Sequence, residues 1–179
     1  MAEHGPNHNR GDYHNHNHWI IVGSPENFRR TAELGFTVQG IKSRHRRKAA
    51  RMAPGDKLVY YLTGRKAFAA VVTVESPFFE SNERIWSSND PKKAAEAYPF
   101  RVRISPDLIV GEEGAVPAEP VARQMAYAAK WPVANWTLAF QGNLHEIGRE
   151  DYALIRDALE VEAATRTLQL DGTASYGGR

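Results

Sequence analysis

The stretch from residue 57 to residue 74 constrains the fold most. Two almost unbroken apolar runs, Lys57–Thr63 and Phe68–Val74, flank a turn centred on Gly64. Short β-branched and aromatic runs around a glycine turn predict a hairpin. A strand with one face in water alternates apolar and polar residues; these two do not, so they are packed on more than one side, as in a barrel. Tyr60 and Tyr61 fall on opposite faces of one strand, which assigns one of them to the core. A chain of 179 residues that is 42% hydrophobic can supply such a core, and wholesale disorder is excluded.

Other elements can be placed around this hairpin. His18–Gly23 reads as a strand. Ser24 then caps a helix whose first position suits Pro25 and which stops at Gly35. Phe36–Ile41 is a second short strand, and Ser43 is placed to cap a basic helix reaching Met52, ended by Pro54-Gly55-Asp56. In Tyr98–Ile104, Phe100, Val102 and Ile104 alternate with Arg101 and Arg103, putting the arginines on the solvent side. Trp136–Phe140 and Leu144–Ile147 flank Gln141-Gly142-Asn143 as a second hairpin, and Trp131 and Trp136 read as core. Glu150–Leu159 puts Tyr152, Ile155 and Leu159 on one helical face. Hairpins and short helices without regular βαβ alternation predict an α+β fold around a barrel-like sheet. Residues 1–17, rich in His and Asn, and residues 163–179 read as disordered tails around a folded body, 18–162.

Several classes of function drop out. There are no cysteines, which removes disulfide frameworks, thiolate zinc sites and cysteine nucleophiles. No apolar run approaches the ~20 residues of a spanning helix, and the first residues lack a signal-peptide core, so a cytoplasmic protein with no membrane partner is expected. His14, His16 and His18 alternate with Asn, but no carboxylate or cysteine completes a site, and no metal or other cofactor is expected. The chain has no phosphate-binding glycine loop, His-Glu-x-x-His or nucleophile elbow. His45 and His145 have no evident catalytic partner. A non-catalytic protein follows.

Charge is unevenly distributed. The net charge is only +2, yet residues 29–66 carry eleven Lys or Arg against two acids, and residues 105–162 carry four against ten. Lys42, Arg44, Arg46, Arg47, Lys48 and Arg51 crowd into ten residues with no acid. As a helix, that segment puts like charges one turn apart. Phosphate groups would relieve the repulsion, so these six residues are the candidate phosphate contacts. Trp86 stands out too: it sits in a polar stretch, Glu83–Asp90, where a tryptophan either folds back as a plug or lines a pocket.

Together, Trp19-Ile-Ile-Val-Gly-Ser-Pro-Glu-Asn27, Gly40 with Arg44-His45-Arg46, Pro54-Gly55-Asp56-Lys57-Leu-Val-Tyr-Tyr61, and Ile85-Trp86 followed by Tyr98-Pro99-Phe100-Arg101-Val102 resemble the EVE family. That family belongs to the PUA-like superfamily with YTH domains and thymocyte nuclear protein. The resemblance spans about residues 18–160. It implies a PUA-like β-barrel with short helices around it, and a pocket for one extruded, modified base. Its walls map to Ser24 and Asn27 after the first strand, to Val38, Gln39 and Gly40 in the second, and to Trp86 as a stacking surface. YTH relatives place a second tryptophan at about Val38; this chain has none, which favours modified cytosine over methylated adenine. The implied partner is DNA or RNA carrying a modified base. The alternative is a PUA-like domain that binds a small metabolite or acts on an RNA-linked substrate.

Overall fold

The computed structural model describes residues 15–174. Eight strands form one curled sheet: β1 (His18–Gly23), β2 (Val38–Ile41), β3 (Lys57–Leu62), β4 (Ala67–Val74), β5 (Phe79–Glu80), β6 (Phe100–Ile109), β7 (Val116–Pro117) and β8 (Leu144–Ile147). Their order is β2-β6-β4-β3-β1-β8, with β5 on β6 and β7 on β4. The β1–β3 pair is parallel, and the other ladders are antiparallel. Four α-helices lie around the sheet: α1 (Pro25–Glu33), α2 (Arg46–Ala49), α3 (Ala118–Ala122) and α4 (Arg149–Ala174). No ladder joins β2 to β8 among the described residues, so the sheet is a half-barrel. Asn143 bridges the gap: its Oδ1 accepts from Lys42 N at 2.9 Å, and its Nδ2 donates to the Val22 carbonyl at 3.1 Å.

Both faces of the sheet are covered, which explains the unbroken apolar strands. One layer holds Trp19, Ile21, Phe28, Leu58, Tyr60 and Val102. The other holds Ile20, Val22, Tyr61, Phe68 and Phe140, closed by Ile155 and Leu159 of α4. Tyr60 and Tyr61 are therefore both core, one in each layer, where a single core tyrosine was expected. The Pro54-Gly55-Asp56 turn is tied to β1 by Asp56. Its carboxylate accepts from Trp19 Nε1 at 2.9 Å, Asn17 N at 2.9 Å and Ala53 N at 3.0 Å. Two of the most recognisable sequence signals thus serve one structural clamp.

Five expectations are corrected. The basic helix from Ser43 shrinks to a 3₁₀ turn (Ser43–His45) and the single turn of α2, as like-charge repulsion predicts. Ser43 caps nothing; its hydroxyl donates to Glu96 at 2.7 Å. Residues 133–140 are 3₁₀-helical, so β8 pairs with β1 and not with a hairpin partner. Stacking of Phe140 on Tyr61, with centroids 4.5 Å apart, holds that segment against the sheet. The tail expected from 163 is helical as far as Ala174, because α4 continues past its buried face. At the other end, Asn17 already bonds the sheet through Lys57 N, and the His18 ring packs 4.5 Å from Tyr152, so the His-rich arm gives way to structure before residue 18. His14 lies outside the described residues.

Arg101 is the fifth. It is 2% exposed, not solvent-facing. Its guanidinium donates to the Tyr98, Ala97 and Glu83 carbonyls and to Ser81 Oγ, stapling the loop that carries Trp86.

Candidate nucleic-acid interface

Where β1 ends and α1 begins, the chain opens a cleft with two connected chambers. The inner one is tight, about 20 Å³ or room for about one water, and is lined by Ile21, Phe28, Tyr60, Leu62 and Trp86, with Gln39 and Asn143 among its polar groups. The outer vestibule, about 220 Å³, is lined by Lys42, Thr63, Lys93, Gly142 and the Ser87–Asp90 loop. Val22, Gly23, Ser24, Asn27 and Tyr98 line both, so the inner chamber is reached through the vestibule. Ser24 caps α1, accepting from Asn27 N at 3.1 Å, and no group among the described residues accepts its hydroxyl hydrogen.

Trp86 forms part of the inner wall and is 1% exposed. Its Nε1 donates to Thr31 Oγ1 at 2.9 Å, and the Arg101 guanidinium lies 5.1 Å from its ring. Gly40 is the spacer beneath it: a Cβ there would sit 2.4 Å from Trp86 Cζ3. Tyr98, whose ring lies 6.2 Å from that of Trp86, is a second aromatic at the doorway that sequence reasoning missed. The Tyr-Pro-Phe-Arg run pointed to a strand and to the family, but not to Tyr98 as part of the site.

The structure brings Ser24, Asn27, Gln39 and Trp86 together on the cleft and leaves Val38 and Gly40 out of its lining, Gly40 lying behind Trp86. Strand alternation explains the absence of Val38: Gln39 turns inward, so its neighbour Val38, opposite Arg103, turns the other way. The side-chain amides are committed. Asn27 donates to the Ser87 carbonyl at 2.8 Å and accepts from Ser87 N at 3.0 Å. Gln39 accepts from Tyr60 Oη at 2.8 Å and Thr31 Oγ1 at 3.1 Å and donates to the Gly40 carbonyl. Both hold the cleft's shape.

The six basic residues do not share one face. Lys42 lines the vestibule, its Nζ 5.8 Å from the Tyr98 ring centroid. Arg44 reaches the rim at Gly142 and donates to His45 Nε2 at 3.2 Å. Lys48 donates to the Leu144 carbonyl at 2.7 Å. Arg51 pairs with Glu146, and Arg46 lies 4.0 Å from Glu80 beside the Phe78 and Phe100 rings. Arg47 is exposed and has no ion pair among the described residues. Much of the sequence's charge asymmetry is consumed internally, since Glu112 pairs with Arg29 and Arg65, and Asp107 with Lys57 and Arg156.

Burial, then Lys93 and Arg44, push the Lys42 ammonium pKa down. Burial also lowers His45 to about 4, with Lys48 and Arg44 adding to it, and lowers His145 to about 4 with the same two cations. His145 Nδ1 lies 2.6 Å from Tyr127 Oη. No group of three or more His, Cys, Asp or Glu able to hold a metal ion occurs among the described residues. No helix there is long and apolar enough to cross a membrane.

The EVE domain family model matches residues 17–158. A UPF0310 protein of Pyrococcus abyssi is 28% identical over 151 residues, covering 79% of this chain and 99% of that protein. Among solved structures, the YTH domain-containing protein mmi1, in a complex with RNA, superposes with a TM-score of 0.60 at 10% identity, covering 84% of this chain and 85% of that one. The Zygosaccharomyces rouxii MRB1 YTH domain, in complex with N6-methyladenosine RNA, gives 0.55 at 14%, covering 88% and 91%. Human THYN1, in complex with 5-methylcytosine-containing DNA, gives 0.52 at 16%, covering 82% and 97%. These likenesses fix the fold as PUA-like. From β1 into α4, the chain belongs to the EVE domain family.

Proposed function

We propose that this protein is a non-catalytic module that binds nucleic acid and reads a modified base presented to this cleft, the tight inner chamber widening around Trp86 to take it. The observation that carries the reading is the cleft itself. An apolar chamber walled by Trp86 opens into a vestibule that bears Lys42, with Arg44 at its rim. Two of the six basic residues, Lys42 and Arg44, thus stand at the cleft, which favours a ligand with phosphates over an uncharged metabolite. The fold neighbours support it: one is bound to N6-methyladenosine RNA and another to 5-methylcytosine DNA. Extruding a base costs a few kcal/mol, and stacking on Trp86 returns ~1–3 kcal/mol. The neighbour bound to 5-methylcytosine DNA favours modified cytosine. A binding screen over oligonucleotides, DNA and RNA, carrying different modified bases tests the reading. One modified base, cytosine-derived, should bind several-fold tighter than its unmodified parent. Equal affinity across the panel would refute base reading.

A further inference from the structure

The vestibule carries two ammonium groups with little to neutralise them. Lys42 and Lys93 both line it, Lys42 from the end of β2 and Lys93 from the 3₁₀ turn Pro91–Lys93. Lys93 works against the charge on Lys42: after burial, it is the strongest influence lowering the Lys42 pKa, with Arg44 next.

The nearby acids offset this only in part: Glu96 and Asp90 both act to raise the Lys42 pKa but do not outweigh burial, Lys93 and Arg44. Partial burial works to raise the Glu96 carboxyl, but bonds from Ser43 Oγ, Ser43 N and Tyr98 N outweigh it and hold its pKa low. That carboxylate is occupied by these three donors. Asp90 spends Oδ1 on Lys92 N at 3.0 Å and meets Lys93 only at 3.9 Å through Oδ2. Among the described residues the Ser88 hydroxyl donates to nothing but accepts from Asp90 N at 3.3 Å, so an additional donor lines the same space.

Resting on the reading of the inner chamber as a base site, the geometry points to the vestibule as a clamp for the phosphate of the same nucleotide, held between Lys42 and Lys93. Two ammoniums that repel each other across an open cavity are relieved by a phosphate, which carries one to two negative charges and several acceptor oxygens. The doorway residue Tyr98 lies between the chambers, beneath Lys42. A base past Tyr98 leaves its sugar at the doorway and its phosphate in the vestibule. The smallest good ligand is therefore a nucleotide, not a nucleoside. Lys93, which lies outside the basic segment 42–51, is the new positioning residue.

The test compares 5-methyl-2′-deoxycytidine with its 3′- and 5′-monophosphates by calorimetry, with inorganic phosphate alone as a third probe. One of the monophosphates should bind about tenfold tighter than the nucleoside, the worth of one charge-assisted contact. Lys93→Gln, on an exposed side chain, should remove most of that ratio while leaving nucleoside affinity and the melting temperature unchanged. Lys42→Gln should do the same to the ratio. With an oligonucleotide, each variant should reduce the slope of log affinity on log salt by about 0.7–0.9.

Equal affinity for nucleoside and both monophosphates overturns the clamp, even if modified oligonucleotides are still preferred. So does a Lys93→Gln variant that keeps the full ratio. If inorganic phosphate perturbs Lys42 and Lys93 while no modified base is preferred, the clamp stands and the base reading falls.

Discussion

Gly40→Ala tests how tightly Trp86 is held. The added Cβ would lie 2.4 Å from Trp86 Cζ3, 2.5 Å from Cε3 and 2.9 Å from Tyr98 Cβ. Carbon atoms rest at about 3.5–4.0 Å, so the indole must retreat by about 1 Å. It has no free direction. Its Nε1 is bonded to Thr31, which is itself bonded to Gln39, and Arg101 and Tyr98 flank the ring. Overpacking of this kind costs about 1–3 kcal/mol, and losing the indole hydrogen bond adds about 1 kcal/mol. The expected loss is about 2–4 kcal/mol, or a fall of about 1–2 M in the urea midpoint at a slope typical of small domains. Gly23→Ala is the control, since a Cβ there meets nothing within 4 Å. It should shift the midpoint little. A Gly40→Ala protein as stable as the parent would show that Trp86 is loosely seated, and the description of the inner wall would be wrong.

Trp86→Ala should cost about 3–5 kcal/mol of stability, as for a buried tryptophan, and weaken binding of the preferred modified oligonucleotide by ~1–3 kcal/mol; a destabilised but fully binding variant would end the placement of the base on Trp86. Asp56→Ala should cost about 3 kcal/mol or more by orphaning three donors on one buried carboxylate, checked by chemical denaturation. His45 and His145 are lowered to about 4 in the folded state, so the unfolded chain takes up protons first as pH falls. Stability should therefore be complete above the ordinary histidine value and drop between pH 6.5 and about 4, and the His45→Gln, His145→Gln double variant should flatten melting temperature against pH in that window. Arg47→Gln should reduce the salt dependence of nucleic-acid binding more than Arg46→Gln, since only Arg46 already faces an acid, at 4.0 Å.

The sheet was legible because its signals are local. Unbroken apolarity in 57–62 and 67–74 reports burial on both faces, and Ser24-Pro25 reports a helix start through its own backbone chemistry. Position across the fold was not legible. Arg101 looked solvent-facing because alternation describes a strand and says nothing of a loop folded over its outer face. Residues 136–140 looked like a strand because a short aromatic run suits a strand or a turn equally; stacking on Tyr61 decides it. In the site, Trp86 was legible as a tryptophan in a polar stretch and Lys42 as part of an acid-free basic run, while Ser24 was read as a helix cap and reached the wall only through the family resemblance. Lys93 and Tyr98 were not, because each is ordinary in its local sequence and only the closed loop brings them to one doorway.

The commitment of the amides limits how a base in the inner chamber is told from another. Re-aiming Asn27 or Gln39 at a ligand would abandon bonds that hold the Ser87 loop and Tyr60, at about 1–3 kcal/mol for each buried group left unpaired. The groups free to face a base are then the Ser24 hydroxyl, the main chain and the apolar walls. Fit must carry much of the selectivity, and a single methyl contributes only about 0.8 kcal/mol, or about fourfold. Stacking adds affinity but little discrimination, since every base has a face to stack. Strong binding with modest selectivity therefore has to draw on the phosphates. On the proposed reading that role falls to Lys42 and Lys93 at the mouth of the chamber, since other first-half cations, Arg29, Lys57 and Arg65, are paired with Glu112 and Asp107.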